Sequence, residues 1–217
     1  MKLKTYSYRY AEEILQHTKY INAYNELLQI CKNTPIPVYK NKSSSQKNLD
    51  IVQQLLNTYF SIQFERLGWT IEPPATPDSF SDSLRSDFRK TFTNNNSNIT
   101  LQIEVEFGNA ASYYRNYFKF QLSYSHDLAD VCILIVPCQK LSSRIDRGLG
   151  NFEKIVREIP SAKLSITVPI LVIGLDIEGE NEWNVKSIEN DLNIIKGSKK
   201  EYVEKHRKLI YEYISKL

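Results

Sequence analysis

Glu104 and Glu106 lie in the stretch TLQIEVEFGNAASYYRNYF, residues 100–118, whose first half alternates polar and apolar side chains. Period two is the signature of a strand. It sends Gln102, Glu104, Glu106 and Gly108 to one face and Ile103, Val105 and Phe107 to the core. The two carboxylates then stand roughly 7 Å apart at the backbone, from about 3.3 Å rise per residue. Such a pair repels itself unless a cation lies between, and Mg²⁺, a hard ion that takes oxygen ligands, is the usual guest. Alone, the pair would read as an exposed antiparallel strand with two solvated glutamates. Asp87 changes that reading. It sits just before the polar run TNNNSN, which predicts a hairpin turn, so its strand or turn is hydrogen-bonded to the strand carrying the glutamates. Three carboxylates can then converge on one or two divalent ions, an arrangement suited to phosphodiester hydrolysis. The ions polarise the phosphate, lower the pKa of a bound water and stabilise the leaving 3′ oxygen.

The elements that must position these residues follow from the surrounding pattern. YAEEILQHTKYINAYNELLQICK and NLDIVQQLLNTYFSIQFERLGW place apolar residues at helical spacing, as with Ile51, Leu55, Tyr59 and Ile62. NTPIPVYKNKSSSQKN makes a loop between them, and IEPPATPDSFSDS a second break ahead of Asp87. DFRKTF, NITLQIEVEF, VCILIVP and VPILVIGLDI are rich in β-branched and aromatic residues and read as strands. The last two are apolar on both faces, which suits central strands covered by helices. SYYRNYFKFQLSY and part of CQKLSSRIDRGLGNFEKIVREI predict the helices between them. The expected fold is α/β, a central mixed β-sheet flanked by helices.

Composition sets the outer bounds. A chain of 217 residues with 41% apolar content can bury one sizeable core, which predicts a single compact domain. The run from Val131 to Val136 is too short to span a bilayer, and MKLKTYSYRY lacks the apolar stretch of a signal peptide, so a cytoplasmic chain with no membrane partner is expected. Cys31, Cys132 and Cys138 form no CxxC pair, and no Ser, Cys or His constellation suggests a covalent nucleophile. The net charge of +3 is too small to identify a nucleic-acid partner. KGSKKEYVEKHRK, from Lys196 to Lys208, nevertheless concentrates six basic residues against two acidic ones.

Asp87, Glu104 seventeen positions later, Glu106 and the following FGNAASYYR closely resemble the active-site region of the BamHI-like type II restriction endonucleases, a group with BglII and BstYI in the PD-(D/E)xK superfamily. The region closely resembles that of the BamHI member and is also similar, with a shorter hairpin turn, to those of BglII and BstYI. The likeness continues in order through DLADVCILIVPCQKL, RIDRGLGNFEKI and VPILVIGLD and reappears weakly at KGS, covering about residues 69–200. An E-x-E alone is weak, whereas this ordered set is specific. The resemblance implies a restriction-endonuclease-like core in one domain over 1–217, with a helical N-terminal part at 1–68, a catalytic core at about 69–177 and a C-terminal DNA-contacting arm and helix at about 180–217.

Roles follow from the resemblance residue by residue. Asp87 and Glu104 match the metal-binding, catalytic carboxylates, with Mg²⁺ as the implied cofactor. Glu106 stands where most of the superfamily carries a lysine. A carboxylate cannot supply that positive charge, so Glu106 would be a metal-linked general base or water-orienting group. Glu72, in TIEPP, resembles a further acidic residue near the metals, although its spacing to Asp87 differs by two. Asn109, Ser112 and Arg115 match base-reading positions, with Ala111 in place of a serine; arginine can donate bidentately to guanine O6 and N7. Asp146-Arg147, otherwise read as a surface ion pair, resembles the acid and arginine that read an outer G·C pair. Lys199 and Lys200 would contact phosphates in a salt-dependent way.

The implied activity is Mg²⁺-dependent cleavage of double-stranded DNA at a GATC-centred palindrome, GGATCC among the candidates, leaving four-base 5′ overhangs with 5′-phosphate ends. A palindrome implies a homodimer, and a restriction-modification system implies a cognate DNA methyltransferase as functional partner. Tyr113, Tyr117, Phe120 and Tyr124 give their helix apolar area for both core and dimer contact. Two other readings remain open. One is a structure-specific repair or junction nuclease, against which Asn109, Arg115 and Asp146-Arg147 argue. The other is a catalytically silent DNA-binding module, whose binding Glu106→Gln would leave unchanged.

Overall fold

The computed structural model describes residues 1–77, 84–94, 97–162 and 165–216. Parts of the expected breaks IEPPATPDSFSDS and TNNNSN therefore lie outside the described residues. Six strands form one mixed sheet in the order β1 (Lys2–Tyr8), β7 (Ile170–Asp176), β6 (Val131–Pro137), β5 (Ser97–Val105), β4 (Phe88–Asn94) and β3 (Thr70–Ile71). β7, β6 and β5 are mutually parallel, while β1 runs antiparallel to β7, β4 to β5 and β3 to β4.

Every residue of β6 and β7 is buried, as two-sided apolar runs require. Period two divides their side chains between two cores. Ile133, Ile135, Leu171 and Ile173 join one, and Cys132, Leu134, Val136, Ile170 and Val172 the other. Over the first face lie α1 (Ala11–Gln16), α2 (Ile21–Lys32), α3 (Gln53–Arg66) and α8 (Lys200–Ile214), contributing Leu15, Leu27, Phe60 and Ile210. Over the second lie α4 (Ser112–Ser125) and α6 (Phe152–Glu158), contributing Tyr113, Tyr117, Phe120 and Ile155. The shorter α5 (Gln139–Ile145) and α7 (Leu192–Lys196) add Leu141, Ile145 and Ile195 to the first core, and β2 (Pro37–Val38) pairs in parallel with β8 (Trp183–Asn184). The expected mixed sheet between helices is thus present.

The part expected to be helical, residues 1–68, opens instead with a strand. β1 closes one edge of the sheet, with Lys2 opposite Asp176 and Tyr8 opposite Ile170. Its sequence, KLKTYSY, is too polar to give an apolar period, and lysines are common on edge strands because they discourage pairing with other chains.

Candidate active site and nucleic-acid interface

On β6 and β7 the face toward α4 is apolar. On β5 the same face carries Gln102 and Glu104, both buried. What covers them is a buried polar stripe on α4: Asn116, Lys119 and Ser123, at helical spacing on one side of an otherwise aromatic helix. α4 runs opposite to β5, so the two series match. Asn116 Nδ2 donates to Glu106 Oε2 at 3.0 Å, and Lys119 Nζ is ion-paired with Glu104 Oε2. Arg89 of β4 bridges the third step, donating to Gln102 Oε1 at 2.6 Å and Ser123 Oγ at 3.3 Å. A buried polar network of this kind is stable only when its members are paired.

Asp87 immediately precedes β4, whose first residue, Phe88, lies opposite Ile103. Its Oδ2 accepts a hydrogen bond from Val105 N at 2.7 Å, which binds it to the end of β5. Glu106 follows that strand, its backbone N donating to Ile135 O at 2.9 Å and its Oε1 accepting from Gly108 N at 2.7 Å. Glu72 is exposed; its amide donates to Asp87 O at 2.9 Å, and its φ of +49° places a non-glycine residue in the strained left-handed region. Glu72 and Asp87 line a cleft of about 250 Å³ together with Asn57, Phe60 and Ser61 of α3, Ile71, Phe88 and Val105.

Burial pushes the carboxyl of Glu104 up to about 8; repulsion from Asp87 adds to the rise, and Lys119 opposes it. Asp87 is also raised by burial, against the opposing hydrogen bond from Val105 and the charge of Lys119. Glu106 is raised by burial despite its bonds from Gly108 and Asn116. These groups hold negative charge at a cost that a divalent cation would relieve. The donors fit such an ion: all are hard oxygens, and Glu104 Oε1 is buried without a hydrogen-bond partner among the described residues. In the present arrangement no three His, Cys, Asp or Glu side chains among the described residues lie close enough to hold a metal together, so the expected trio of Asp87, Glu104 and Glu72 is not drawn in around one point.

The expected base-reading residues come from separate segments that the fold joins. Asn109 forms an antiparallel bridge with Leu149, and Ala110 N donates to Gly148 O at 3.1 Å, tying the loop after β5 to the loop after α5 that carries Asp146 and Arg147. Asn109 Oδ1 accepts from Ala111 N at 2.9 Å, a local turn that leads into α4. Asn109, Arg115, Asp146 and Arg147 are exposed, and Ser112 is half-buried at the start of α4. Asp146 Oδ1 accepts from the backbone N of Arg147 at 2.7 Å. Lys199 and Lys200 are exposed where α8 begins. Arg207, further along the same basic run, instead pairs with Glu65 of α3 at 2.7 Å.

Sequence reasoning passed over Asn116 and Lys119, and over Asn57 and Ser61. The signal for the first two was present: polar residues recurring at helical spacing inside an aromatic helix must either face water or meet buried partners. Asn57 and Ser61, four apart on α3, look like ordinary surface positions until the cleft beside Asp87 is seen.

Residues 3–175 match the family model described as restriction endonuclease BglII/BglIII. The fold is similar to that of restriction endonuclease BglII crystallised with a DNA 16-mer, with a TM-score of 0.69, 20% identity and coverage of 83% of this chain and 81% of that one. It is also similar to free BglII, with a TM-score of 0.56, 20% identity and coverage of 83% and 82%. No curated protein sequence matches the chain. No helix among the described residues is long and apolar enough to cross a membrane. With its family match running through the carboxylates, the sheet that holds them and the loops beside them, this chain belongs to the BglII family of restriction endonucleases and is a type II site-specific deoxyribonuclease.

Proposed function

We propose that the chain cuts double-stranded DNA as a Mg²⁺-dependent homodimer at a GATC-centred palindrome, GGATCC among the candidates, leaving four-base 5′ overhangs with 5′-phosphate ends. The observation that carries the metal-dependent chemistry is half-buried Asp87, tied to Val105 and lining a cleft, close enough to buried Glu104 to repel its charge, with Glu106 held by Gly108 and Asn116. Asp87 and Glu104, with Glu72 as a further candidate at the cleft wall, would hold the metal, which supplies Lewis-acid activation of the phosphate and of a water. Glu106, oriented by two donors and raised in pKa, suits the general base that takes a proton from that water.

Asn109, Ser112, Arg115, Asp146 and Arg147 are proposed to read bases, and Lys199 and Lys200 to contact phosphates. The bridge between the 109 and 149 strands of backbone supports the reading, because it gives two distant sequence segments a common edge. That BglII was crystallised with a DNA 16-mer supports duplex DNA as the substrate. A likeness to BamHI is proposed on Glu106, a carboxylate at the position where most of the superfamily carries lysine. A methyltransferase acting on the same site is the expected functional partner, the chain itself forms one endonuclease domain over the ranges given above, and its place is the cytoplasm.

Digestion of a fully sequenced plasmid with Mg²⁺ and with EDTA, followed by sequencing of the ends, tests this. Discrete ends at one palindrome in Mg²⁺ alone are expected, and Glu106→Gln should abolish cutting while retaining DNA binding in Ca²⁺. Scattered or structure-dependent ends would overturn site-specific cutting.

A further inference from the structure

The cation closest to the catalytic carboxylates is not on β5. It is Lys119, four-hundredths exposed on α4, whose ammonium meets Glu104 Oε2 and donates to the Arg85 carbonyl at 3.1 Å. Asp87 and Glu106 both lie within reach of its charge. A carboxylate oxygen, a backbone carbonyl and a neighbouring carboxylate are the kind of oxygen set that a hard divalent ion takes. Here an ammonium fills part of it, while Glu104 Oε1 makes no well-formed hydrogen bond among the described residues, with the Ser86 hydroxyl near the carboxylate. A purely structural ion pair in a core would be expected to satisfy both carboxylate oxygens, because an unpaired buried one is costly.

We propose that Lys119 is a positioning residue that acts as the resident cation of the site: it holds Glu104 beside Asp87 in the metal-free enzyme and must yield that carboxylate to the divalent ion. The inference rests on the metal-dependent reading above. Two positive charges competing for one carboxylate at contact distance weaken each other's binding strongly in a poorly solvated site. Lys119 therefore keeps metal affinity low in the absence of DNA and keeps the carboxylates in place until a metal enters.

The test is Ca²⁺ titration by calorimetry, without DNA, of wild type, Lys119→Gln and Lys119→Met, with melting temperatures of each metal-free protein. Glutamine keeps N–H donors on a side chain one bond shorter but loses the charge, and it guards against the failure of the methionine variant to fold. Both variants should melt below wild type when metal-free. Folded Lys119→Gln should bind Ca²⁺ at least about tenfold more tightly, because a nearby repelling charge has gone. A dissociation constant equal to or weaker than wild type would overturn the inference while leaving metal dependence intact. Plasmid cleavage that persists in EDTA would instead overturn the metal-dependent reading itself, and this inference with it.

Discussion

Gly108 and Glu106 share a space with no room for a methyl group. A Cβ on Gly108 would meet Glu106 Oε1 at 2.6 Å, closer than real Cβ contacts allow. The obstructing atom is the tip of a flexible side chain, so Gly108→Ala should leave the melting temperature within a few degrees of wild type, a stability change of under about 1 kcal/mol. The carboxylate must nonetheless leave the position set by Gly108 N and Asn116 Nδ2. If Glu106 is the proposed general base, cleavage by Gly108→Ala should therefore fall by about tenfold or more, because that base is misplaced. Single-turnover rates alongside thermal melts would check it; an unchanged rate would mean that the observed position of Glu106 is unimportant to the chemistry.

At the level of elements, the C-terminal helix is docked by a histidine that carried no signal in the sequence. His206 is buried, its Nε2 lies 2.8 Å from the Ile194 carbonyl, and burial holds its pKa below the ordinary 6.5. The folded state disfavours the protonated ring, so this contribution to stability is present above pH 6.5 and is lost as the pH falls through the lower folded value. Glu104 has the opposite sign. Its raised pKa contributes stability below the ordinary 4.5 that is lost as pH rises through about 8 in metal-free protein. Comparing melts of wild type and His206→Gln isolates the first effect: between about pH 7.5 and 5.5 wild type should lose more stability than the variant, by up to roughly 1 kcal/mol. Equal slopes would show that the ring titrates alike in folded and unfolded chains.

The elements themselves were largely legible. The alternation of β5 and the two-sided apolar runs of β6 and β7 reflect strand geometry directly, and each became the expected strand. What β5 faced was not legible. Period two separates Glu104 from Ile103, but it does not tell solvent from the polar stripe of another helix, because Asn116 and Lys119 lie ten and more residues away and meet the strand only through tertiary packing. β1 was missed for a related reason: its pairing with β7 comes from the far end of the sequence, and its own residues are polar enough to pass for a tail.

For the whole molecule, α4 presents its buried stripe inward and leaves Tyr114 and Phe118 more than half exposed on its outer side, beside a cavity of about 510 Å³ that both residues line. If the enzyme is the proposed homodimer, this apolar surface is a candidate for the contact between copies. Phe118→Glu should then yield a monomer in sedimentation velocity and convert double-strand cutting to slow nicking or no cutting. A dimer that persists unchanged would place the interface elsewhere.

The edge position of β1 also bears on how the molecule is made. Its partner strand, Ile170–Asp176, is translated long after Lys2–Tyr8, so the first strand must wait, unpaired, while most of the sheet emerges from the ribosome. Closing that long separation costs little extra free energy, since loop entropy grows only logarithmically, but it delays completion. A chain stalled before residue 170 already carries Asp87, Glu104, Glu106 and Lys119 yet lacks the strand that lies between β6 and β1. Completion of the sheet is therefore a late event in synthesis: the carboxylates and the β4, β5, β6 and α4 segments that hold them are made well before the last central strand joins β6 to β1.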